Sequence, residues 1–143
     1  MSGSKSFYLS KKLIEETLGA VAFSSPANTY LALCTTIPTD ASTGTTIVET
    51  DYASYARTLI GTANNQTDAW NAATGSTTAV VTNFGAITCP TATGASSNPI
   101  VAIAITDAST VGNVLYWASV TSTAIANGDT PKINAGALSV TED

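Results

Sequence analysis

Two short runs of this sequence, residues 100–105 and 114–118, are apolar or aromatic at every position. Runs of this length, bounded by turn residues and rich in β-branched and aromatic side chains, are typical of strands that are covered on both faces. Such strands form the centre of a sandwich, or a neighbouring subunit buries them. Both runs are far shorter than the roughly 20 apolar residues that a membrane-spanning helix needs, so we expect no membrane partner.

Eight segments have the residue types and the turn punctuation of strands. They cover residues 29–36, 55–61, 77–84, 86–89, 99–106, 113–121, 131–134 and 137–141. Turn signals such as Asn127-Gly128-Asp129 separate them, and no helical periods lie between them. This pattern predicts a mainly β fold, an antiparallel β-sandwich of the jelly-roll or immunoglobulin-like type, rather than βαβ units. We expect one domain over residues 1–143, with the sandwich over residues 28–143.

The start of the chain predicts a short α-helix over residues 6–18. Its apolar positions recur at helical spacing, from Leu9 through Leu13 and Ile14, with Ser6 as N-cap and Gly19 just past the end. On the polar side, Lys11 with Glu15 and Lys12 with Glu16 have i, i+4 spacing. A helix this short is unstable alone, so it must pack on the sandwich or on a neighbour.

Two further features concern loops and cysteines. The segment of residues 38–54 is long and polar, which predicts a surface loop. Cys34 and Cys89 each lie in a strand-like run, and two interpretations stay open: a disulfide between adjacent strands, or two buried thiols that act as small apolar residues, which we favour.

The sequence offers little for catalysis. It contains no histidine, which excludes Ser-His-Asp and Cys-His arrangements and removes the commonest metal ligand. A Ser-x-x-Lys string at residues 2–5 lies in a polar terminus that we expect to fray. The candidate carboxylates fall in loops, where such residues form turns; they are Asp40, Glu49, Asp51, Asp68, Asp107 and Asp129. We therefore predict a protein that is not an enzyme and has no cofactor and no metal site.

Charge argues against a nucleic-acid partner. Charged residues make up 10% of the chain, against about 25% in typical soluble domains. The net charge is −5, and Lys11-Lys12 is the only basic pair. Phosphate binding needs clustered cations, which this sequence does not have.

Six residues are candidates for contact with partners. If the sandwich cannot cover the helix residues Phe7, Tyr8, Leu13 and Ile14, these side chains form an attachment patch. For Arg57, the single arginine, we favour an ion pair with a loop carboxylate over contact with a partner subunit.

The sixth candidate is Trp70, in the polar run of residues 64–74, which we expect to be exposed or at an interface. An exposed indole can stack on a sugar, so Trp70 is the residue to test for contact with a host glycan. The other tryptophan, Trp117, belongs to an apolar strand, and we expect it to pack in the core.

The order and spacing of several segments resemble a family of small virion proteins of tailed bacteriophages, usually labelled tail fibre or minor tail protein. The similarity runs through residues 30–40, 55–57, 89–93, 105–108, 112–118, 127–130 and 135–140. It implies a non-enzymatic structural protein of the tail, neck or fibre region, which acts by multivalent attachment to other virion proteins, including tail, neck or major capsid proteins.

The expected protein is a homo-oligomer that is assembled in the host cytoplasm, resides in the virion and leaves the cell by lysis. Two other functions are kept as alternatives: a capsid decoration protein that stabilises the head, and an adhesin module that binds a host surface glycan. Copy number per particle separates the first alternative from a fibre role, and a glycan titration tests the second.

Overall fold

The computed structural model describes residues 3–62 and 69–142, and in that part of the chain it is mainly β. One α-helix, α1, covers Phe7–Thr17. The described residues also form nine strands, of which the first precedes the helix and the other eight follow it. They are β1 Gly3–Lys5, β2 Asn28–Cys34, β3 Thr58–Thr62, β4 Ala79–Thr82, β5 Ile87–Thr88, β6 Ile100–Thr106, β7 Val114–Thr123, β8 Lys132–Ile133 and β9 Ser139–Glu142. The helix of the described residues is not long and apolar enough to cross a membrane.

The strands form one large antiparallel sheet and two small ones. The large sheet has the order β1-β7-β6-β2-β3, and the small sheets pair β4 with β9 and β5 with β8. β2 to β9 correspond to the eight predicted strands, so the mainly β, antiparallel fold class is confirmed. The apolar runs form β6 and β7, which lie next to each other inside the large sheet.

Alternation along the strands explains why both apolar runs are buried on two sides. On one face of the large sheet, Leu33, Ile103 and Ile105 belong to the main core, together with Ile87 from β5 and Leu138, which directly precedes β9. This face therefore packs against a second layer, as in a sandwich. Burying each such aliphatic side chain contributes about 1.5–3 kcal/mol, so this layer contact dominates the stability.

The opposite face of the large sheet carries small side chains. Ala32, Cys34, Ala102, Ala104 and Val114 form a second cluster and have no exposed surface. Ile47 from the segment of residues 38–54 packs against it. Small residues let a covering segment approach the sheet closely, so this face needs only an irregular segment as its cover.

The expectation that residues 38–54 form a surface loop is wrong in part. Backbone bonds tie the segment to the sheet, from Gly44 N to Gly112 O at 3.0 Å and from Thr35 N to Val48 O at 2.9 Å. Tyr52 is buried in the main core, and its ring contacts that of Tyr55 edge to face. The few apolar side chains in this polar run are what anchor it.

The predicted helix is confirmed, and its ends have the expected caps. The Ser6 hydroxyl accepts a hydrogen bond from Leu9 N at 3.2 Å, and Gly19 adopts φ +68° just beyond the helix. The pair of Lys11 with Glu15 is present at 3.7 Å. The pair of Lys12 with Glu16 is wrong, because Lys12 contacts Glu15 at 3.4 Å and the Glu16 carboxylate accepts a hydrogen bond from Phe23 N.

The polar terminus differs from the expectation that it frays. β1 pairs with the middle of β7, with Ser4 opposite Trp117, and becomes the edge strand of the large sheet. Ser6, directly after β1, is fully buried, and its hydroxyl donates a hydrogen bond to Val114 O. The backbone bonds that the longer β7 offers hold this segment, since its own side chains have little strand preference.

The two cysteines are free and buried, so the disulfide interpretation is wrong and the buried-thiol interpretation is confirmed. Cys89 belongs to the main core, whereas Cys34 lies in the second cluster on the other face of the large sheet. Burial raises the pKa of Cys34 to about 12 and also raises the pKa of Cys89.

Because the thiolate is the reactive form, we expect both cysteines to be inert in the folded protein. Ellman's reagent at pH 8 should label neither thiol of the native protein and both thiols in guanidinium without reductant. Two thiols labelled quickly under native conditions, or none after unfolding, would contradict this arrangement.

Candidate attachment surfaces

The outer side of α1 carries an exposed apolar stripe. Phe7, Ile14 and Leu18 are 69%, 61% and 77% exposed. Their spacing of seven and four residues places them within about 40° of one another on a helix with 3.6 residues per turn. We call these three residues the helix stripe. Large apolar side chains exposed on one side of a helix mark a candidate contact site on a soluble protein.

The inner side of α1 packs on the protein itself. Leu9 is buried, and the half-buried Tyr8 and Leu13 pack against the main core. Of the four helix residues predicted as an attachment patch, Phe7 and Ile14 thus point to solvent, whereas Tyr8 and Leu13 do not. Leu18 was not among the predicted patch residues, although its spacing from Ile14 was the signal that could have identified it.

The N-terminal end of the helix stripe is fixed to the sheet. Ser6 N donates to Leu115 O at 2.9 Å, and Phe7 N donates to Asp40 O at 2.7 Å. The Asp40 carboxylate in turn accepts a hydrogen bond from the Trp117 indole at 3.1 Å. The stripe is therefore held in place before any partner binds, which lowers the entropy cost of binding.

Arg57 precedes β3, and its side chain is 4% exposed. Its guanidinium donates to Glu49 Oε1 from both Nε at 3.0 Å and Nη2 at 2.7 Å. The remaining bonds go to the backbone oxygens of Ala108 at 3.0 Å, Val111 at 2.8 Å and Gly44 at 2.6 Å. The favoured interpretation, an ion pair with a loop carboxylate, is what the structure shows. Arg57 leaves almost no surface for a partner, so we do not carry it into the proposed contact.

Arg57 also stabilises strained backbone. Val111 is a β-branched residue at φ +55°, a conformation that costs on the order of 1–3 kcal/mol. Its carbonyl lies so close to Gly44 that a Cβ added there would be 1.7 Å from the oxygen. The arginine joins the strained turn to the segment that covers the small-residue face.

The phenol of Tyr55 completes this buried network. It donates to the Glu49 carboxylate and accepts a hydrogen bond from Leu33 N at 3.1 Å. Burial, and next the hydrogen bond to Glu49, raise the pKa of Tyr55 above its usual range. The phenol therefore keeps its proton at all ordinary pH values and acts as a fixed donor, so this network serves structure rather than proton transfer.

Trp70 is half-buried rather than freely exposed. It packs against the main core, and its indole N–H donates to the Thr29 hydroxyl at 3.2 Å. Thr29 belongs to β2, so the ring is tied to the large sheet. The host-glycan role of Trp70 stays a prediction, and nothing in its described contacts favours it. Trp117 packs against the second cluster, as predicted.

The loop carboxylates hold turns. Asp107 accepts from Asn113 N at 2.7 Å and from Asn113 Nδ2 at 2.8 Å, which closes the loop between β6 and β7. Asp51 accepts from Ser97 N at 2.8 Å, and its hydrogen bonds to Ser97 hold the pKa of Asp51 below its usual value. Asp68 lies outside the described residues. Across residues 3–62 and 69–142, no three acidic or cysteine side chains are grouped to hold a metal ion.

A cavity of about 450 Å³ opens between the large sheet and β9. Its lining includes Ile103, Ala118 and Val140, and the Lys5 ammonium lies 2.8 Å from the Glu142 carboxylate at its rim. Burial, and next the charge of Glu142, raise the pKa of Tyr116 in this lining above its usual range. No sequence pattern predicted this cavity, since β1, which contributes Ser4 and Lys5 to its lining, was not predicted.

The Arg57 network generates a stability prediction. Replacing Arg57 by Ala leaves the Glu49 charge without its cation and removes one donor from each of three backbone oxygens, and breaking a buried pair costs about 3–5 kcal/mol. Because Glu49 is partly exposed, we expect a loss of about 2–4 kcal/mol in the free energy of unfolding, measured by urea denaturation.

Lys11→Ala is the matched control, because its ion pair lies on the surface and should contribute less than about 1 kcal/mol. Equal stabilities of the two variants would show that the Arg57 network does not hold this end of the fold.

Comparison with models of protein families assigns the chain to a family. A family model described as podophage GP4 fiber I protein gp80 matches residues 4–141. The match spans nearly all of the described chain, from β1 to β9, and it confirms the resemblance to a phage tail fibre family. A comparison with curated proteins gives no match.

Proposed function

We propose that this chain, which belongs to the podophage GP4 fiber I protein gp80 family, attaches to neighbouring virion subunits. The helix stripe is the surface that we propose for this contact. Membership makes the chain a virion component with a structural role in the tail fibre, where it associates with other phage proteins. The single observation that carries the finer proposal is the exposure of Phe7, Ile14 and Leu18 on a helix whose other side is packed.

The energy of such a contact supports attachment by many copies. Burying each stripe side chain contributes at most about 1.5–3 kcal/mol, and part of that gain is lost to the entropy of association. One copy therefore binds weakly. Several copies on one particle multiply such contacts into strong attachment without any new interaction, so we propose an oligomeric, multivalent arrangement.

The pairing of the lysine and arginine side chains supports a protein partner rather than a nucleic acid. Lys5 pairs with Glu142, Lys11 and Lys12 pair with Glu15, and Arg57 pairs with Glu49. Because four of the five cations have a carboxylate partner, little positive charge is left to attract phosphate groups. We propose that the chain binds no nucleic acid and performs no catalysis, and that it is assembled in the host cytoplasm and released by lysis.

The other functions remain predictions. Capsid decoration predicts hundreds of copies per particle, whereas a fibre component predicts far fewer, so quantifying the chain in purified particles separates the two. The adhesin function predicts a change in Trp70 fluorescence on addition of host glycans.

Substitutions on the helix stripe test the proposal. The double variant Ile14→Gln and Leu18→Gln removes two of the three apolar side chains of the stripe and introduces a residue of good helix propensity at both positions. In particles assembled without the wild-type chain, we expect incorporation to fall at least about tenfold, as measured by quantitative immunoblotting. The melting temperature should stay within a few degrees, because neither side chain packs in the core.

Thr17→Gln is the control, since Thr17 is exposed on the same helix but lies off the stripe. Its incorporation should be normal. Normal incorporation of the folded double variant would refute attachment through the helix stripe. Deleting residues 1–19 is a poorer test, because the deletion also removes β1 and the buried Leu9.

A further inference from the structure

The two layers of the fold have unequal numbers of strands. The large sheet has five strands, whereas the regular structure opposite it consists of two separate pairs, β4 with β9 and β5 with β8. Strands in a sheet lie about 4.8 Å apart, so a strand pair cannot span the width of a five-stranded sheet. Next to β9, the second layer leaves part of the large sheet uncovered.

The cavity lies at this uncovered part. All four residues of β9 line it, and no residue of β4 does. Among the described residues, no backbone hydrogen bond joins Ser139–Glu142 to any strand except β4. One edge of β9 thus has no strand partner among the described residues, and β9 lines the cavity along its whole length, which is an arrangement that can accept an added strand.

The volume and the lining of the cavity are compatible with a single extended segment. Its volume of about 450 Å³ falls within the range of pockets that enclose a ligand. The large sheet contributes Ile103, Ile105 and Ala118 to the lining, and β9 contributes Val140. A strand beside β9 points alternate side chains toward the large sheet, so its inward positions would meet apolar surface.

An ion pair in the lining of the cavity offers charge complementarity. Lys5 from β1 and Glu142 from β9 pair with each other at 2.8 Å, and both side chains are partly exposed. An incoming segment can separate them without loss if it offers a carboxylate to Lys5 and a cation to Glu142. A strand that is already part of a packed sheet brings its own second layer and cannot enter, which favours an isolated segment over a second folded copy.

We infer that the cavity beside β9 binds an extended segment of a partner virion protein, which adds a third strand to the β4–β9 sheet. The recognised segment has apolar side chains at alternate positions, and backbone hydrogen bonds to β9 hold it. This site is separate from the helix stripe and gives the chain a second means of attachment.

Selection from a random library of capped heptapeptides on the full chain tests this inference. We expect bound peptides to share alternating apolar residues without proline between them, because proline cannot donate to a strand ladder. On titration of a selected peptide, the amide NMR signals of residues 139–142 should shift and gain protection from hydrogen exchange. The stripe variant Ile14→Gln with Leu18→Gln should bind equally well, which separates this site from the proposed function.

Ala118→Phe places a larger side chain in the cavity and should lower the affinity for the peptide at least about tenfold. Because that substitution can also disturb folding, Glu142→Lys is a second variant, which places like charges in the lining and should shift the selected charges toward acidic residues. The inference would be overturned if the selected peptides showed no alternation of apolar residues, or if a bound peptide shifted only the NMR signals of α1. It would also be overturned if the folded Ala118→Phe variant bound the peptide as tightly as the wild-type chain. Concentration-dependent shifts at residues 139–142 without peptide would identify a second copy as the occupant and would overturn it as well.

Discussion

The structure depends on the burial of both faces of the central strands. β2 and β6 place large aliphatic side chains on one face and Ala32, Cys34, Ala102 and Ala104 on the other. The large face requires a second β layer, whereas the small face can be closed by an irregular segment. This division decides where the rest of the chain must go. The segment of residues 38–54 covers the small face, and the strands of the small sheets cover the large one.

The buried polar network around Arg57 completes that arrangement. Five hydrogen bonds from one guanidinium connect the covering segment, the strained turn at Val111 and the Glu49 carboxylate. Such a network favours one arrangement of the chain because each donor has a fixed acceptor. Removing one member leaves the remaining polar groups buried without a partner, which costs free energy. Among the ionisable groups with raised pKa values, Cys34 is buried and Tyr55 and Tyr116 are half-buried, so all three keep their protons at ordinary pH and contribute to packing.

Sequence patterns predicted most of the fold because its determinants are local. Strand alternation and turn residues located β2 to β9, and Ser6 and Gly19 located the ends of α1. β1 escaped prediction because residues 3–5 have no strand preference of their own and pair only because β7 extends beside them. The role of residues 38–54 was missed because Ile47 and Tyr52, the residues that anchor it, are two of only a few large apolar residues in a polar run.

The candidate site was only partly predictable for a similar reason. Helical spacing identified Phe7 and Ile14, but it could not show which side of α1 the sandwich covers, so Tyr8 and Leu13 were grouped with them. Arg57 was correctly interpreted as an ion-pair residue because a lone arginine beside a loop of carboxylates has few other partners. The cavity beside β9 depends on four strands that are distant in sequence, and no local pattern records it.

The family assignment and the geometry lead to one account: a small fibre protein for which we propose attachment through its exposed surfaces. A cryo-electron microscopy map of the intact particle tests this account most directly. It should place the chain in the tail fibre, with Phe7, Ile14 and Leu18 buried against a neighbouring subunit. Density for the chain on the capsid surface, or a fibre in which these three side chains face solvent in every copy, would contradict it.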